Sequence, residues 1–275
     1  MAISRRKIVI WCGAAPNQKA LANKLASKYN VAGIVIDEHK KASAPKKISK
    51  IVSAVIDRAR FRKIYGAWKW LMYNYASGYS EWPNVPMLRV ESINNEQAAA
   101  FTREINPDLI IVSGTGLVKE PLLSLPASIG IINLHTGLSP YVKGGPNCTN
   151  WCIANNEWHL VGNTIMWLNA GIDTGNIITT ETIDIRNAID LKEAHRMVME
   201  HAHDLYIRAV DYLFTSTGTF NSVPQQSIGK GKLYLTKMWT AEKRKSLLQN
   251  WKERGRIKLM PVVNTVPLPS KIHHA

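Results

Sequence analysis

Short apolar runs that end in a glycine or a polar turn constrain this chain more than any other feature. Ile8-Val9-Ile10-Trp11-Cys12 closes on Gly13, residues 31–36 run into Asp37, and Leu109-Ile110-Ile111-Val112 ends in Ser113-Gly114-Thr115-Gly116. Ile129-Gly130-Ile131-Ile132 delivers Asn133 and His135 at its end. Such runs are apolar on both faces, the pattern of strands buried between helices rather than of strands with one wet face. Between the first two, residues 18–29 repeat Leu21, Leu25 and Tyr29 at helical spacing, so strand, helix and strand form a βαβ unit. Further strands are expected at 87–90, 163–168 and 177–185, and helices at 96–104 and 191–215. The fold class is thus α/β, a mostly parallel twisted sheet with helices on both faces. Ligands of such sheets sit at the carboxyl ends of the strands, where Asn133 and His135 stand.

A chain of 275 residues, 45% hydrophobic and 20% charged, suits one sizeable core or a core with a small appendage. Residues 1–216 are read as the catalytic domain and 217–275 as a short basic C-terminal extension. No apolar run is long enough to cross a bilayer, and the N-terminus lacks the features of a signal peptide, so a cytoplasmic location is expected. Cys12, Cys148 and Cys152 make no disulfide framework or zinc pattern and are read as buried free thiols. The net charge of +15 is concentrated. Lys40, Lys41, Lys46, Lys47, Lys50, Arg58, Arg60, Arg62, Lys63 and Lys69 face Asp57 alone, and a second basic stretch lies within 230–258. Phosphate, an anionic membrane surface and plain solubility each account for such a segment. Within it, Phe61, Ile64, Tyr65, Trp68, Leu71, Met72 and Tyr75 mark one face of a helix expected to pack on the body, with a membrane-surface role as the alternative.

The densest information lies in Asn133-Leu134-His135-Thr136-Gly137-Leu138-Ser139-Pro140-Tyr141-Val142-Lys143-Gly144-Gly145-Pro146, then Gly162-Asn163-Thr164, then Gly171-Ile172-Asp173-Thr174-Gly175. An amide, an imidazole and a carboxylate brought together can stabilise a tetrahedral oxyanion and manage a proton, with Asn133 donating, His135 polarising and Asp173 fixing the imidazole. Other readings fail. Gly137-Leu138-Ser139-Pro140-Tyr141 lacks the closing glycine of a nucleophile elbow, and Gly13 alone is no dinucleotide fingerprint. His195, His201 and His203 do not share one helix face, so they are read as surface residues and not as a metal site.

These motifs resemble, in order and spacing from about residue 7 to about 184, the formyl-tetrahydrofolate-dependent formyltransferases. Asn133, His135, Pro140, Gly144, Gly162, Thr164 and Asp173-Thr174-Gly175 fall in the family's register. Gly116, Gly137, Ser139 and the position of Tyr141 depart from it. The resemblance implies a Rossmann-like fold, an enzyme, and formyl-tetrahydrofolate as co-substrate without a metal. It also implies a pterin site at Gly116, Leu117 and Val118, closed by Ala170, Gly171 and Ile172. Acceptor contacts are expected from Tyr141, Lys143, Gly144, Asn147 and Asn150.

Among acceptors, a nucleotide-linked amino sugar is favoured, as in surface polysaccharide (O-antigen) assembly. The segment after 217 is short for a tRNA-binding barrel, and Gly13-Ala14-Ala15-Pro16-Asn17 is too poor in glycine to cradle a phosphate. Residues 231–251 resemble the extension of the sugar-modifying subgroup. A methionyl-tRNA formyltransferase-like enzyme and a non-catalytic binding protein stay open as alternatives. Expected partners are folate, the nucleotide-linked amino sugar, a second copy in a homodimer, and an anionic membrane at the protein's periphery.

Overall fold

The computed structural model describes residues 6–39, 48–145, 147–216, 220–257 and 260–269, with backbone alone at 48–50. Lys40, Lys41, Lys46, Lys47, Lys258, Pro146 and the side chain of Lys50 lie outside that description, as do residues 217–219 beside the expected division of the chain.

The strands are β1 (Lys7–Gly13), β2 (Asn30–Asp37), β3 (Met87–Val90), β4 (Leu109–Ser113), β5 (Gly130–His135), β6 (Val142–Gly144), β7 (Gly162–Trp167), β8 (Ile177–Thr182) and β9 (Lys232–Tyr234). The helices are α1 (Pro16–Ala26), α2 (Ile48–Arg60), α3 (Arg62–Gly78), α4 (Glu96–Ile105), α5 (Cys148–Ala154), α6 (Leu191–Thr215), α7 (Gln225–Ile228) and α8 (Ala241–Glu253). The main sheet runs β3-β2-β1-β4-β5-β7-β8. It is parallel from β3 through β5, and β7 and β8 join it antiparallel. This is the α/β sheet that the apolar runs predict.

Alternation along β1 shows how both faces are covered. Ile8, Ile10 and Cys12 pack with Leu21 and Leu25 of α1 and with Leu205 and Leu213 of α6. Val9 and Trp11 point the other way, to Ala98 and Ala99 of α4. Trp11 Nε1 donates to Thr102 Oγ1 at 3.0 Å, so the buried indole keeps its hydrogen bond. Helix α6 starts where Asp190 caps the backbone N–H groups of Lys192 and Glu193. All three cysteines are buried and free.

Helix α3 buries Phe61 at its N-cap, Ile64, Ala67, Leu71 and Tyr75. Tyr65 and Trp68, expected on that same packed face, are 37% and 41% exposed. The segment after 220 returns to the body. Strand β9 pairs with β6, α8 packs on α5, and Val266 exchanges hydrogen bonds with Thr180 of β8. Trp151 of α5 stacks on Tyr234 at 4.5 Å and meets the edge of Trp239 at 4.7 Å.

Candidate active site

Strand β5 carries Asn133 and His135 farther along the sheet than the apolar run alone suggests, because both residues pair with β7. His135 stands opposite Thr164, whose hydroxyl donates to Gly137 O at 2.7 Å and accepts from Ser139 N at 2.9 Å. One hydroxyl thereby fixes the turn after β5. Glycine is required at 137. A Cβ there would lie 2.4 Å from His135 Nε2 and 2.8 Å from Val142 O.

Asp173 comes from the loop between β7 and β8, with its backbone in the left-handed region at φ 50. Gln225 of α7 holds that loop by donating to the carbonyls of Asp173 and Gly175, at 2.8 and 2.9 Å. Asp173 Oδ2 accepts from Gly144 N at 2.9 Å and lies 3.3 Å from His135 Nδ1. The far nitrogen, His135 Nε2, is 2.9 Å from Val142 O. Burial disfavours a charged ring. The Cys148 sulfur at 3.6 Å, the Asp173 carboxylate and the Val142 carbonyl outweigh it and raise the His135 pKa to about 10. Both ring nitrogens face acceptors, an arrangement that favours the charged ring. Asn133 is half-buried, and its amide has no hydrogen bond to any described residue.

A first cavity, about 270 Å³, opens beside these groups. Asn133, Gly116, Leu117, Val118, Gly171, Ile172 and Asp173 line it together. Ala170 is exposed and outside the lining, and His135 stays behind the wall. Two supports escape sequence reasoning. Buried Asp37 at the end of β2 accepts from Gly116 N at 3.0 Å and so anchors the loop after β4. The Tyr206 hydroxyl accepts from Val112 N at 3.0 Å and donates to Ile132 O at 2.8 Å, filling a gap between β4 and β5 just before Asn133. Neither residue belongs to a motif; only the register of β2 against β1 and the rotation of α6 bring them in.

A second cavity, about 410 Å³, is lined by Ile64, Tyr65 and Trp68 of α3, His195, Val198 and Met199 of α6, and Trp239. Thr136, Asn147, Thr149 and Asn150 complete it. Asn147 and Asn150 thus reach a cavity, whereas Tyr141 and Lys143 lie along the β6 to β9 pairing and line neither one. Gly144 touches the site through its backbone N–H on Asp173. Buried Asn150 Oδ1 and His195 Nε2 have no hydrogen-bond partner among the described residues. Burial lowers the His195 pKa to about 4 and, with Lys24 nearby, the His203 pKa to about 3.

The reading of the α6 histidines as surface residues is therefore corrected. His195 and His203 are buried and His201 is half-buried, its Nε2 3.1 Å from Glu181 Oε2. The reason is tertiary, since α6 is covered by α1 and α3 on one side and by the sheet on the other, so flanks of its apolar stripe are buried too. Among the described residues no group of three or more His, Cys, Asp or Glu could hold a metal ion.

An imidazole and a carboxylate beside a free amide, at the carboxyl ends of parallel strands, are the equipment for moving a small electrophilic group onto a nucleophile. A family model described as formyl transferase matches residues 5–210, and the chain belongs to that family. Sequence relatives include a methionyl-tRNA formyltransferase of Geobacter metallireducens (strain ATCC 53774 / DSM 7210 / GS-15), 35% identical over 112 residues, covering 40% of this chain and 35% of that protein. Another, from Clostridium tetani (strain Massachusetts / E88), is 30% identical over 132 residues, covering 47% and 42%. The match thus spans less than half the length of either relative. Similar solved structures include a 4-N formyltransferase from Francisella tularensis (TM-score 0.52, 17% identity, 89% of this chain and 87% of that one). WlaRD, a sugar 3N-formyl transferase determined with dTDP and 5-N-formyl-THF, gives TM-score 0.54 at 15% identity over 94% and 83%. Glycinamide ribonucleotide transformylase 1 from Symbiobacterium toebii gives 0.53 at 17% over 82% and 95%. These likenesses show the fold.

Proposed function

We propose that this protein transfers a formyl group from formyl-tetrahydrofolate to the primary amine of a nucleotide-linked amino sugar. The observation that carries the reading is the position of the segment 133–136. Asn133 lines the first cavity, Thr136 lines the second, and His135, which meets Asp173 at 3.3 Å, stands between them in the chain. The first cavity, lined by Leu117, Val118, Trp167 and Ile172 between two glycine-bearing loops, suits a flat ring. The second, with Tyr65, Trp68 and Trp239 around Asn147 and Asn150, suits a base or sugar that stacks and hydrogen-bonds.

In this reading the acceptor nitrogen attacks the formyl carbon, and the former carbonyl oxygen gains negative charge. The free Asn133 amide and an N–H of the His135 imidazolium donate to it, the ring giving up one present partner to do so. Asp173 keeps the ring charged and aligned, and the proton of the attacking amine leaves to the folate nitrogen as the carbon–nitrogen bond breaks. A second reading, methionyl-tRNA as acceptor, is favoured by the basic surface and the sequence relatives.

The two are separated by assaying formylation of a panel of nucleotide-linked amino sugars and of charged initiator tRNA at equal concentration and physiological salt. Turnover of an amino sugar with one formyl-tetrahydrofolate consumed per product is expected. Efficient formylation of tRNA with no amino sugar accepted overturns the sugar assignment and leaves the chemistry at Asn133, His135 and Asp173 in place.

A further inference from the structure

Helix α2 is amphipathic in the wrong sense for a helix that packs on its own protein. Ile51, Val52, Val55 and Ile56 recur at the spacing that puts them on one side of the helix, and all four point to solvent. They are 49%, 51%, 58% and 61% exposed. What ties α2 to the body is polar. Asp57, half-buried, takes a 2.9 Å ion pair from Arg244 of α8 and a hydrogen bond from the hydroxyl of Tyr65. A contiguous aliphatic face of this kind, left uncovered by the described residues of a protein that has a full core elsewhere, marks a contact site.

The charge around that face selects the occupant. Arg58, Arg60, Arg62 and Lys63 are exposed on α2 and the start of α3, and the sole carboxylate of α2, Asp57, is already paired. The Asp57–Arg244 pair also joins this segment to α8, so the two basic stretches of the sequence meet in one region. A second copy of the chain docking through α2 would cover the aliphatic face but would bring these cations against their own counterparts. A polyanion such as RNA would answer the cations and leave the aliphatic face in water. An anionic bilayer surface answers both, offering acyl chains below and phosphates at the headgroup level.

We propose that α2 is a membrane-docking helix, which lays Ile51, Val52, Val55 and Ile56 into the interface of an anionic bilayer while the adjoining arginines and Lys63 contact lipid phosphates. The chain then rests on the surface. No described helix is long and apolar enough to span a membrane. The docked orientation has a consequence for the second cavity, because Tyr65 both lines its mouth and bonds to α2. Docking holds the Tyr65 side of that cavity beside the headgroups.

The test is binding of the full chain to phosphatidylcholine vesicles with and without phosphatidylglycerol, measured by co-sedimentation without any substrate, so its outcome is independent of the acceptor assignment. Binding to the anionic vesicles alone, weakened by added salt, is expected. The V55D/I56D variant should bind at least about tenfold more weakly. Because both side chains are exposed, its far-ultraviolet circular dichroism and melting temperature should match those of the unaltered chain. A Val55→Trp reporter should shift its emission to the blue with anionic vesicles. Equal binding by V55D/I56D, or no binding to either vesicle, overturns the proposal. So does a chain that is dimeric in light scattering, turns monomeric in V55D/I56D and ignores vesicles, which would make α2 a subunit interface.

Discussion

The two cavities flanking the segment 133–136 are built in opposite ways. The first is lined by two glycine-bearing loops, Gly114 to Val118 after β4 and Gly171 to Gly175 before β8, with Thr115, Asn133, Asn169, Asp173 and Thr174 as its polar residues. The second is walled by side chains of α3, α5, α6 and the returning C-terminal segment, and three of them are aromatic. Their histidines differ in the same sense. The pKa of His135, near the first, is raised by the Cys148 sulfur and the Asp173 carboxylate, while that of His195, in the second, is lowered by burial. Under the proposed function the first cavity takes the folate and the second the acceptor, and the aromatic side chains of the second are what would select that acceptor.

The sharpest way to break this contrast is at the reacting groups. His135→Asn, Asp173→Asn and Asn133→Ala should each lower kcat by at least about a hundredfold with the fold intact, since each removes stabilisation realised in the transition state rather than packing. Single-turnover rates with saturating substrates check it, and a near-normal Asp173→Asn rate would remove that residue from the mechanism.

A smaller effect is expected across the second cavity. Trp68→Ala and Trp239→Ala should raise KM for the acceptor about tenfold while the folate KM stays within about twofold, because stacking is worth roughly 0.5–1.5 kcal/mol per ring pair. Titrations of each substrate against each variant decide it. Folate KM moving as much as acceptor KM would mean that the cavities are not separate subsites.

An effect on stability instead of rate is expected against pH, and it has opposite signs at the two histidines. The raised pKa of His135 makes its contribution full below the ordinary value of 6.5 and progressively lost as pH rises toward about 10. The lowered pKa of His195 leaves stability unaffected above 6.5 and reduces it as pH falls toward about 4, because the unfolded chain takes up a proton that the folded one refuses. Denaturant unfolding across this range should show His195→Phe flattening the acid side and His135→Asn flattening the alkaline side, each on the order of 1–3 kcal/mol. The acid side being unchanged in His195→Phe would place that ring in contact with water.

The sequence made the sheet legible because apolar runs at βαβ spacing leave few ways to be buried, and helix α6 appears over the residues its spacing marks. It also made the first cavity legible, since that site is assembled from contiguous motifs at strand ends. Asp37 and Tyr206 were not, although both hold that site, because each acts across the sheet from a position with no local signal.

Periodicity along α3 and α6 identified which residues are apolar, but not which of them would be covered. Trp68 and Tyr65 sit on a stripe that reads as core, and His195 lies beside one that reads as surface; their exposure is reversed in the fold. Local sequence determines backbone geometry and the alternation of polar and apolar groups, which are short-range consequences of sterics and hydrogen bonding. Which helix faces are covered depends on how α3, α6 and the segment after 220 come together, and so the second cavity, the neutral His195 and the bare face of α2 belong to the tertiary structure alone.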